Sequence, residues 1–208
     1  MEQTWYKFKH PFTMMVAGPT SSGKTWWVAS LVKTMSHMIH PVPERVLWCY
    51  AEPQPLYAEL KEKIGDRIFF QHGLPPKAIK PNTLLVVDDL MRESGVETAR
   101  IFEKGSHHRN VSVIFIVQNL FHQKKEQRDI SLNSHYIVLL KNPRDRLQFE
   151  SLARQVFPLK ARELRKVYDD ATKEPHGYLL LDFIQTCPDE FRLRTRVFPG
   201  EEHIYYGV

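Results

Sequence analysis

Residues 18–25 read Gly-Pro-Thr-Ser-Ser-Gly-Lys-Thr, which satisfies the pattern G-x-x-x-x-G-K-[ST] of a phosphate-binding loop. The apolar residues 12–17 precede the loop and predict a short buried strand. An apolar stripe with the spacing i, i+3, i+4, i+7 runs from Val28 to Met35 and predicts a helix directly after it. The chain must therefore fold so that a strand, this loop and a helix follow one another. That order predicts a nucleoside triphosphate site.

The loop residues have expected roles toward ATP and Mg²⁺. The glycines allow the backbone to curl so that successive N–H groups face the phosphates, to which the helix adds its positive N-terminus. Lys24 is expected along the β- and γ-phosphates, and the Thr25 hydroxyl is expected to hold Mg²⁺. The candidate nucleotide-binding residues are Gly18, Pro19, Thr20, Ser21, Ser22, Gly23, Lys24 and Thr25.

Composition indicates an ordinary soluble domain, since 42% of the 208 residues are hydrophobic and 25% are charged. The longest apolar run, residues 111–117, is far too short to span a bilayer. Residues 1–10 do not resemble a signal peptide, so we expect an intracellular, non-secreted protein without membrane contact. The net charge of +5 favours a polyanionic partner without establishing one.

The cysteines and one histidine pair give no metal or redox signature. Cys49 and Cys187 lack the spacing of a metal or redox motif, so we interpret both as reduced thiols of a cytosolic or nuclear protein. His107 and His108 are adjacent but have no Cys, Asp or Glu beside them, which is more typical of surface residues than of metal ligands.

Strand and helix patterns alternate along the chain and predict an α/β fold with a mostly parallel central sheet flanked by helices. We expect a single P-loop NTPase domain over residues 1–208, with a core at about 12–142 and an elaboration at 143–208. The predicted strands are 12–17, 45–50, 67–70, 83–87, 111–117, 136–140, 178–182 and 191–198. The predicted helices follow the loop, cover 56–64 and 93–105, begin at Asn142-Pro143, and contain Leu164 to Ala171.

Two aspartates follow the buried strand 83–87 and predict the second half of the nucleotide site. Asp88 is expected to complete the Mg²⁺ shell, usually through water, and Asp89 to orient and deprotonate the attacking water. The alternative is that both aspartates cap the following helix. Asp89 is also one methylene shorter than the glutamate more often found at such a position.

The strand 111–117 predicts a third component of the site, because Gln118 follows it. The Gln118 amide could touch the γ-phosphate and the attacking water, or it could instead satisfy the loop backbone. Arg109 precedes the same strand, so it lies at the opposite end from the nucleotide of its own subunit. Such an arginine could reach a neighbour's γ-phosphate in trans, or it could be a solvated loop residue.

These segments together resemble the FtsK–HerA group of P-loop motors. More closely, they resemble the DNA-packaging ATPases of large double-stranded DNA viruses, such as poxviruses, and of Polinton and adintovirus-like elements. The arginine–buried strand–glutamine block is the most discriminating part of the resemblance. The segments that carry it are 16–25, 84–90, 106–119, 131–136 and 141–145.

The resemblance implies an additional-strand, RecA/FtsK-like sheet in which the strand ending at Gln118 separates the two motif strands. It also implies an ATPase that translocates double-stranded DNA, a homo-oligomeric ring of six or five subunits, and a trans role for Arg109. A capsid portal or vertex protein would be a further partner, in the host nucleus or cytoplasm or in the virion. Nothing in the sequence resembles the nuclease domain of tailed-phage terminases.

Three further features could contact DNA, and each has a structural alternative. The segment 119–129 carries His122, Lys124, Lys125 and Arg128, and it could be either a DNA-binding loop or a solvated one. Arg192, Arg194 and Arg196 alternate along one predicted strand face, where charges more often protect a sheet edge. Trp26 and Trp27 could stack on bases, although core packing or a subunit contact suits their helix better.

Two other functional classes remain open from the sequence. Many nucleotide and small-molecule kinases are P-loop proteins of this size, and residues 142–146 would then belong to an arginine-bearing lid. A non-catalytic ATP-dependent switch is the other class, which the short Asp89 would suit.

Overall fold

The structure, a computed structural model, describes residues 6–90, 110–120 and 132–207, and of Gln148 only the backbone. Its strands are β1 (Phe8–Lys9), β2 (Thr13–Ala17), β3 (Ile39–His40), β4 (Arg45–Tyr50), β5 (Ile68–His72), β6 (Thr83–Asp88), β7 (Val111–Val117), β8 (Tyr136–Leu140), β9 (Tyr178–Asp182), β10 (Leu193–Thr195) and β11 (Ile204–Tyr206). Its α-helices are α1 (Lys24–Lys33), α2 (Met35–Met38), α3 (Leu56–Ile64), α4 (Leu147–Val156) and α5 (Ala161–Ala171). Short 3₁₀ turns cover Gly65–Arg67 and Asp189–Phe191.

One sheet of nine strands organises the described part of the chain, in the order β11-β10-β9-β8-β2-β7-β6-β4-β5. All neighbours from β8 to β5 are parallel. The strands β9, β10 and β11 extend this sheet beyond β8 in antiparallel pairs. The predicted α/β fold with a mostly parallel sheet is therefore present, and its antiparallel wing makes the sheet mixed.

The strand β7 lies between β2 and β6, in the order that the resemblance implies. In register, Ala17 of β2 is beside Val117 of β7, and Asp88 of β6 is beside Ile116. The loop that follows β2 and the polar residues that follow β6 and β7 therefore meet at one edge of the sheet. Ligands of open α/β sheets bind outside this carboxyl edge.

Helices cover both faces of the sheet because its central strands are apolar on both sides. Met14 and Val16 of β2 pack into one hydrophobic cluster with α1 and α3, whereas Met15 and Ala17 pack into a second cluster with α4 and α5. This alternation follows from the two-residue period of a strand. The result is a three-layer arrangement of helices, sheet and helices.

The helix predicted to begin at Asn142-Pro143 begins later, at Leu147. The Asn142 side-chain oxygen accepts hydrogen bonds from the backbone N–H groups of Arg144 and Asp145, at 3.1 and 3.2 Å. Asn142 thus closes a side-chain turn instead of capping a helix, which is a common competing use of this residue. In the kinase alternative, residues 142–146 would have formed the arginine-bearing lid.

The prediction that the arginines of residues 191–198 share one face of a strand is also wrong. The strand there is the short β10, which lies between β9 and β11 and is not a sheet edge. Arg194 is 2% exposed and forms an ion pair with the buried Asp182. Arg192 binds Asp189 and two backbone carbonyls. Arg192 and Arg194 therefore stabilise the antiparallel wing and do not form an exposed basic face.

Other expectations have simpler outcomes. Cys49 and Cys187 are both buried and free, and burial raises the pKa of the two thiols to about 12 and about 11. The helix predicted over 93–105 lies outside the described residues. In the ranges that the structure describes, no helix is both long enough and apolar enough to traverse a bilayer.

Candidate functional site

The loop between β2 and α1 has the backbone that its sequence requires. Gly23, directly before α1, has a φ of 98°, a left-handed conformation that favours glycine. Gly18 is packed so closely that a Cβ atom there would lie 2.7 Å from Ser22 Oγ and 3.0 Å from Leu140 Cβ. Both glycines are therefore needed for the loop to keep its shape at the start of the helix.

The polar groups of the loop are arranged to receive a phosphate. The Ser22 hydroxyl is buried and has no hydrogen-bond partner among the described residues. Lys24 Nζ donates to the carbonyl oxygen of Pro19, at 2.7 Å, so the ammonium group lies over its own loop. Burial lowers the pKa of Lys24, while the charges of Asp89 and Asp88 oppose that shift. A phosphate oxygen offers this ammonium group a stronger, charged acceptor than a carbonyl.

Thr25 and Asp88 form the candidate metal position. Thr25 Oγ1 lies 3.4 Å from Asp88 Oδ2, which joins the first turn of α1 to the end of β6. A hydroxyl and a carboxylate are oxygen ligands of the kind that Mg²⁺ prefers. Among the described residues, no group of three or more His, Cys, Asp and Glu side chains forms a metal cluster. These two residues fit an ion that takes its other ligands from phosphates and water.

Asp88 is a buried carboxylate with neighbours that the sequence did not reveal. It is 5% exposed, and Tyr57 of α3 donates a hydrogen bond to its Oδ2 atom at 3.2 Å. Burial raises the pKa of Asp88, whereas the nearby Tyr57 hydroxyl and Trp48 indole favour the ionised form. The Trp48 Nε1–H group is buried close to this carboxylate, and it forms no hydrogen bond within the described part of the chain.

Asp89 and Gln118 meet at the solvent side of the site. Gln118 Nε2 donates to Asp89 Oδ2 at 2.8 Å, and both residues are exposed. Asp89 has a φ of 54°, so the chain leaves β6 in a left-handed conformation that few residues other than glycine adopt. This turn places the two acidic side chains in different environments. Asp88 is enclosed by α1 and α3, and Asp89 is open to water and held by an amide.

The structure thus brings together the loop, Thr25, Asp88, Asp89 and Gln118, as the sequence predicted for one edge of the sheet. Arg109 lies outside the described residues, but its neighbour Asn110 precedes β7 at the opposite end from Gln118. His107 and His108 also lie outside them. So do residues 121–129 of the candidate DNA-binding segment, including His122, Lys124, Lys125 and Arg128.

Several contacts to the site were missed because they join distant parts of the sequence. Tyr57 precedes Asp88 by 31 positions, and no pattern in the chain connects them. His176 follows Ser22 of the loop by 154 positions, and its Nδ1 atom lies 3.1 Å from the Ser22 carbonyl oxygen. The two tryptophans of α1 lie in different environments, as their adjacent positions on the helix suggest. Trp27 is 4% exposed and belongs to the core, whereas Trp26 is 65% exposed.

Comparisons with known proteins found structural likeness at low sequence identity. No family model matches the chain, and the search of curated proteins found no match. EssC (ATPases 2 and 3) from Geobacillus thermodenitrificans is similar with a TM-score of 0.48 and 9% identity, over 68% of this chain and 34% of that one. The ATPase DotB from Legionella pneumophila is similar with a TM-score of 0.42 and 14% identity, over 62% of this chain and 40% of that one.

A third solved structure is EccC (ATPases 2 and 3) from Thermomonospora curvata, in complex with a signal sequence peptide. Its TM-score is 0.39 at 14% identity, over 64% of this chain and 30% of that one. The chain spans between 30% and 40% of the length of these three structures.

Proposed function

We propose that this chain is an ATP-driven translocase of double-stranded DNA that packages a viral or virus-like genome into a capsid. The observation that carries the ATPase part is the convergence of Thr25, Asp88, Asp89 and Gln118 beside a complete phosphate-binding loop. A structural loop would not need a buried carboxylate beside Thr25 and a second, open carboxylate next to it.

Each residue has a distinct role in the proposed reaction. Lys24 exchanges its Pro19 carbonyl for the phosphates, and Thr25 and Asp88 hold Mg²⁺. When bound, the ion offsets the negative charge of the phosphate oxygens. Asp89 accepts a proton from the attacking water, and Gln118 keeps the Asp89 carboxylate oriented through the 2.8 Å hydrogen bond.

Translocation of DNA is supported by the sequence resemblance and by charge. The block 106–119 has the order of arginine, buried strand and amide that is found in packaging motors of the FtsK–HerA group. The net charge of +5 suits a polyanionic substrate, whose phosphates would supply most of the affinity. In the sequence Arg109 precedes β7 and Gln118 follows it, an order that suits a ring of six or five copies in which Arg109 completes a neighbour's site. A capsid portal or vertex protein would anchor that ring.

Steady-state ATP hydrolysis with and without long linear double-stranded DNA, at low salt, tests this function. We expect DNA to stimulate hydrolysis several-fold, and the stimulation to fade as salt rises because phosphate contacts are screened. The Lys24→Ala variant is the matched control and should lose hydrolysis under both conditions, because it loses its phosphate contact.

Three results would contradict parts of the proposal. A Lys24→Ala variant with normal turnover would remove the site assignment. Phosphate transfer to a small acceptor, unaffected by DNA, would identify a kinase. Tight ATP binding without turnover in the presence of DNA would identify a non-catalytic switch.

A further inference from the structure

A large cleft lies beside the phosphate-binding loop, on the side away from Asp88 and Asp89. Its volume is about 590 Å³, within the range of small-molecule sites. Leu140, Tyr178, Thr195 and Ile204, at the ends of β8, β9, β10 and β11, lie in its walls. Because these strands alternate in direction, those four ends share one edge of the sheet. This is also the edge that carries the loop.

The position of the loop between two groups of strands gives a bound triphosphate a direction. Asp88 at the end of β6, Asp89 directly after it and Gln118 after β7 lie on one side of β2, whereas the cleft lies at the ends of β8 to β11, on the other side. A triphosphate whose reacting end lies at Asp89 therefore has its other end directed toward the cleft. Gly23 and Trp26, at the junction of loop and helix, are part of the cleft wall.

The lining of the cleft suits a flat, aromatic group with polar edges. Trp26 is a large ring that is 65% exposed, and its only described ring contact is Lys33 Nζ, 5.9 Å from the ring centroid. Phe198 and Tyr206 add further aromatic surface. Glu174 and Glu201, also in the wall, supply carboxylates that can accept hydrogen bonds from amino and hydroxyl groups.

The cleft is also joined to the loop by a direct contact. His176 lies in the cleft wall, and its Nδ1 atom is 3.1 Å from the Ser22 carbonyl oxygen. A Cβ atom on Gly23 would come within 3.2 Å of the same nitrogen. The segment before β9 therefore packs on the last turn of the loop, so that the two parts of the site keep one relative position.

We propose that this cleft binds the base and ribose of the nucleotide, with Trp26 as the stacking surface for a purine. The proposal rests on the proposed ATPase function, since it gives the second half of the same ligand a place. It assigns a binding role to the antiparallel wing, which lies outside the parallel part of the sheet. Stacking on an aromatic ring is favourable for bases and depends on the area of the ring.

Calorimetric titration with Mg²⁺ and either ATP or inorganic triphosphate tests this assignment, because triphosphate engages only the loop. We expect Trp26→Ala to weaken ATP binding about five- to fiftyfold, as the loss of one stacked base predicts, and to leave triphosphate binding unchanged. Trp26→Phe should recover most of the ATP affinity, since a flat ring remains. Phe69→Ala is the matched control, because Phe69 is also a large exposed aromatic, at 52%, and lies on the distant strand β5.

The outcomes separate this proposal from the proposed function. If Trp26→Ala binds ATP as tightly as the wild type while Lys24→Ala does not bind, the base lies elsewhere and only this proposal fails. If Trp26→Ala weakens ATP and triphosphate equally, the residue supports the loop and does not stack on a base. If the wild type binds neither ligand, both the cleft assignment and the proposed function are wrong.

Discussion

Asp88 is buried in a way that costs folding stability but suits a metal ligand. Its carboxylate is buried between α1, α3 and the sheet, and burial raises its pKa above the ordinary value of an aspartate. A buried charge without a cation is unfavourable, and the Tyr57 hydroxyl offsets only part of that effect. A metal ion needs the ionised form, so metal binding should weaken as pH falls through the raised pKa.

The first prediction concerns Tyr57, as a positioning residue for Asp88. In Tyr57→Phe the ring contacts with Trp48 and Phe70 are kept, but the hydrogen bond to the carboxylate is lost. The pKa of Asp88 should then rise further. We expect the Mg²⁺ concentration for half-maximal ATP binding to rise about tenfold or more at neutral pH, as the loss of one hydrogen bond to a charged group predicts. The acidic limb of the activity profile should also move to higher pH.

The matched control is Tyr136→Phe. Tyr136 is also buried, and its hydroxyl, at the opposite edge of the sheet from Asp88, accepts a hydrogen bond from the backbone of Lys9. It should lose stability without any change in Mg²⁺ dependence. Superimposable Mg²⁺ titrations and pH profiles for Tyr57→Phe and the wild type would show that Tyr57 does not act on Asp88.

The site residues that the sequence predicted are those that local pattern specifies. The loop is a contiguous motif, and the residues after β6 and β7 were located because each follows a uniformly apolar strand. Parallel neighbours then place those strand ends together. Tyr57, Trp48 and His176 were not predicted, because their contacts depend on how helices and loops pack across the sheet. Their sequence positions carry no period or spacing that would indicate such contacts.

At the scale of elements, the phosphate-binding loop depends on close packing against its neighbours. Gly18 lies between Ser22 of the loop and Leu140 at the end of β8. The backbone around it is therefore set by a strand on the other side of β2 from the acidic residues. This contact connects the shape of the loop to β8, whose end also lies in the wall of the cleft.

The second prediction is that Gly18→Ala distorts the loop without unfolding the chain. The added Cβ would lie 2.7 Å from Ser22 Oγ and 3.0 Å from Leu140 Cβ, so the Ser22 hydroxyl has to rotate and the backbone at Gly18 has to shift away from β8. Overpacking of this kind should weaken binding of both ATP and inorganic triphosphate about tenfold or more. Gly207→Ala is the control, because a Cβ there meets open space. Calorimetry that shows equal affinities for Gly18→Ala and the wild type would contradict the role of this packing.

Elements were predicted well where burial alone determines them. The strands 111–117, 136–140 and 178–182 have the predicted bounds, because a run of apolar residues has few other solutions in an α/β fold. The predicted start of α4 was wrong because the side-chain oxygen of Asn142 can accept the same backbone hydrogen bonds in a helix cap and in a turn. The arginines near β10 were misjudged because their burial depends on Asp182, a partner in another strand.

At the scale of the whole molecule, each site of the proposed ring would be formed by residues from two copies. The loop, Asp88 and Asp89 come from one copy, and Arg109 would come from its neighbour. Asn110, the first described residue before β7, lies at the opposite end of that strand from Gln118. In the proposed ring, that end of β7 would lie beside the next copy's site, where Arg109, the residue before Asn110 in the sequence, could reach the phosphates.

The third prediction follows from that division of the site. Lys24→Ala and Arg109→Ala should each abolish most ATP hydrolysis, because each removes a contact to the phosphates. An equal mixture of the two variants should recover part of the activity, since some interfaces then pair an intact loop with an intact arginine. The recovered rate, measured by phosphate release after subunit exchange, is the readout. A mixture no more active than either variant would contradict the trans arginine.

The most direct test of the whole account is ATP hydrolysis by Asp89→Asn, measured beside its binding of Mg²⁺ and ATP. The asparagine keeps the size of the side chain and an oxygen for the Gln118 amide, but it cannot accept a proton from water. We expect ATP binding close to that of the wild type and phosphate release slower by about a hundredfold or more. Phosphate release at the wild-type rate would contradict the assignment of Asp89 and, with it, the hydrolytic site described for this protein.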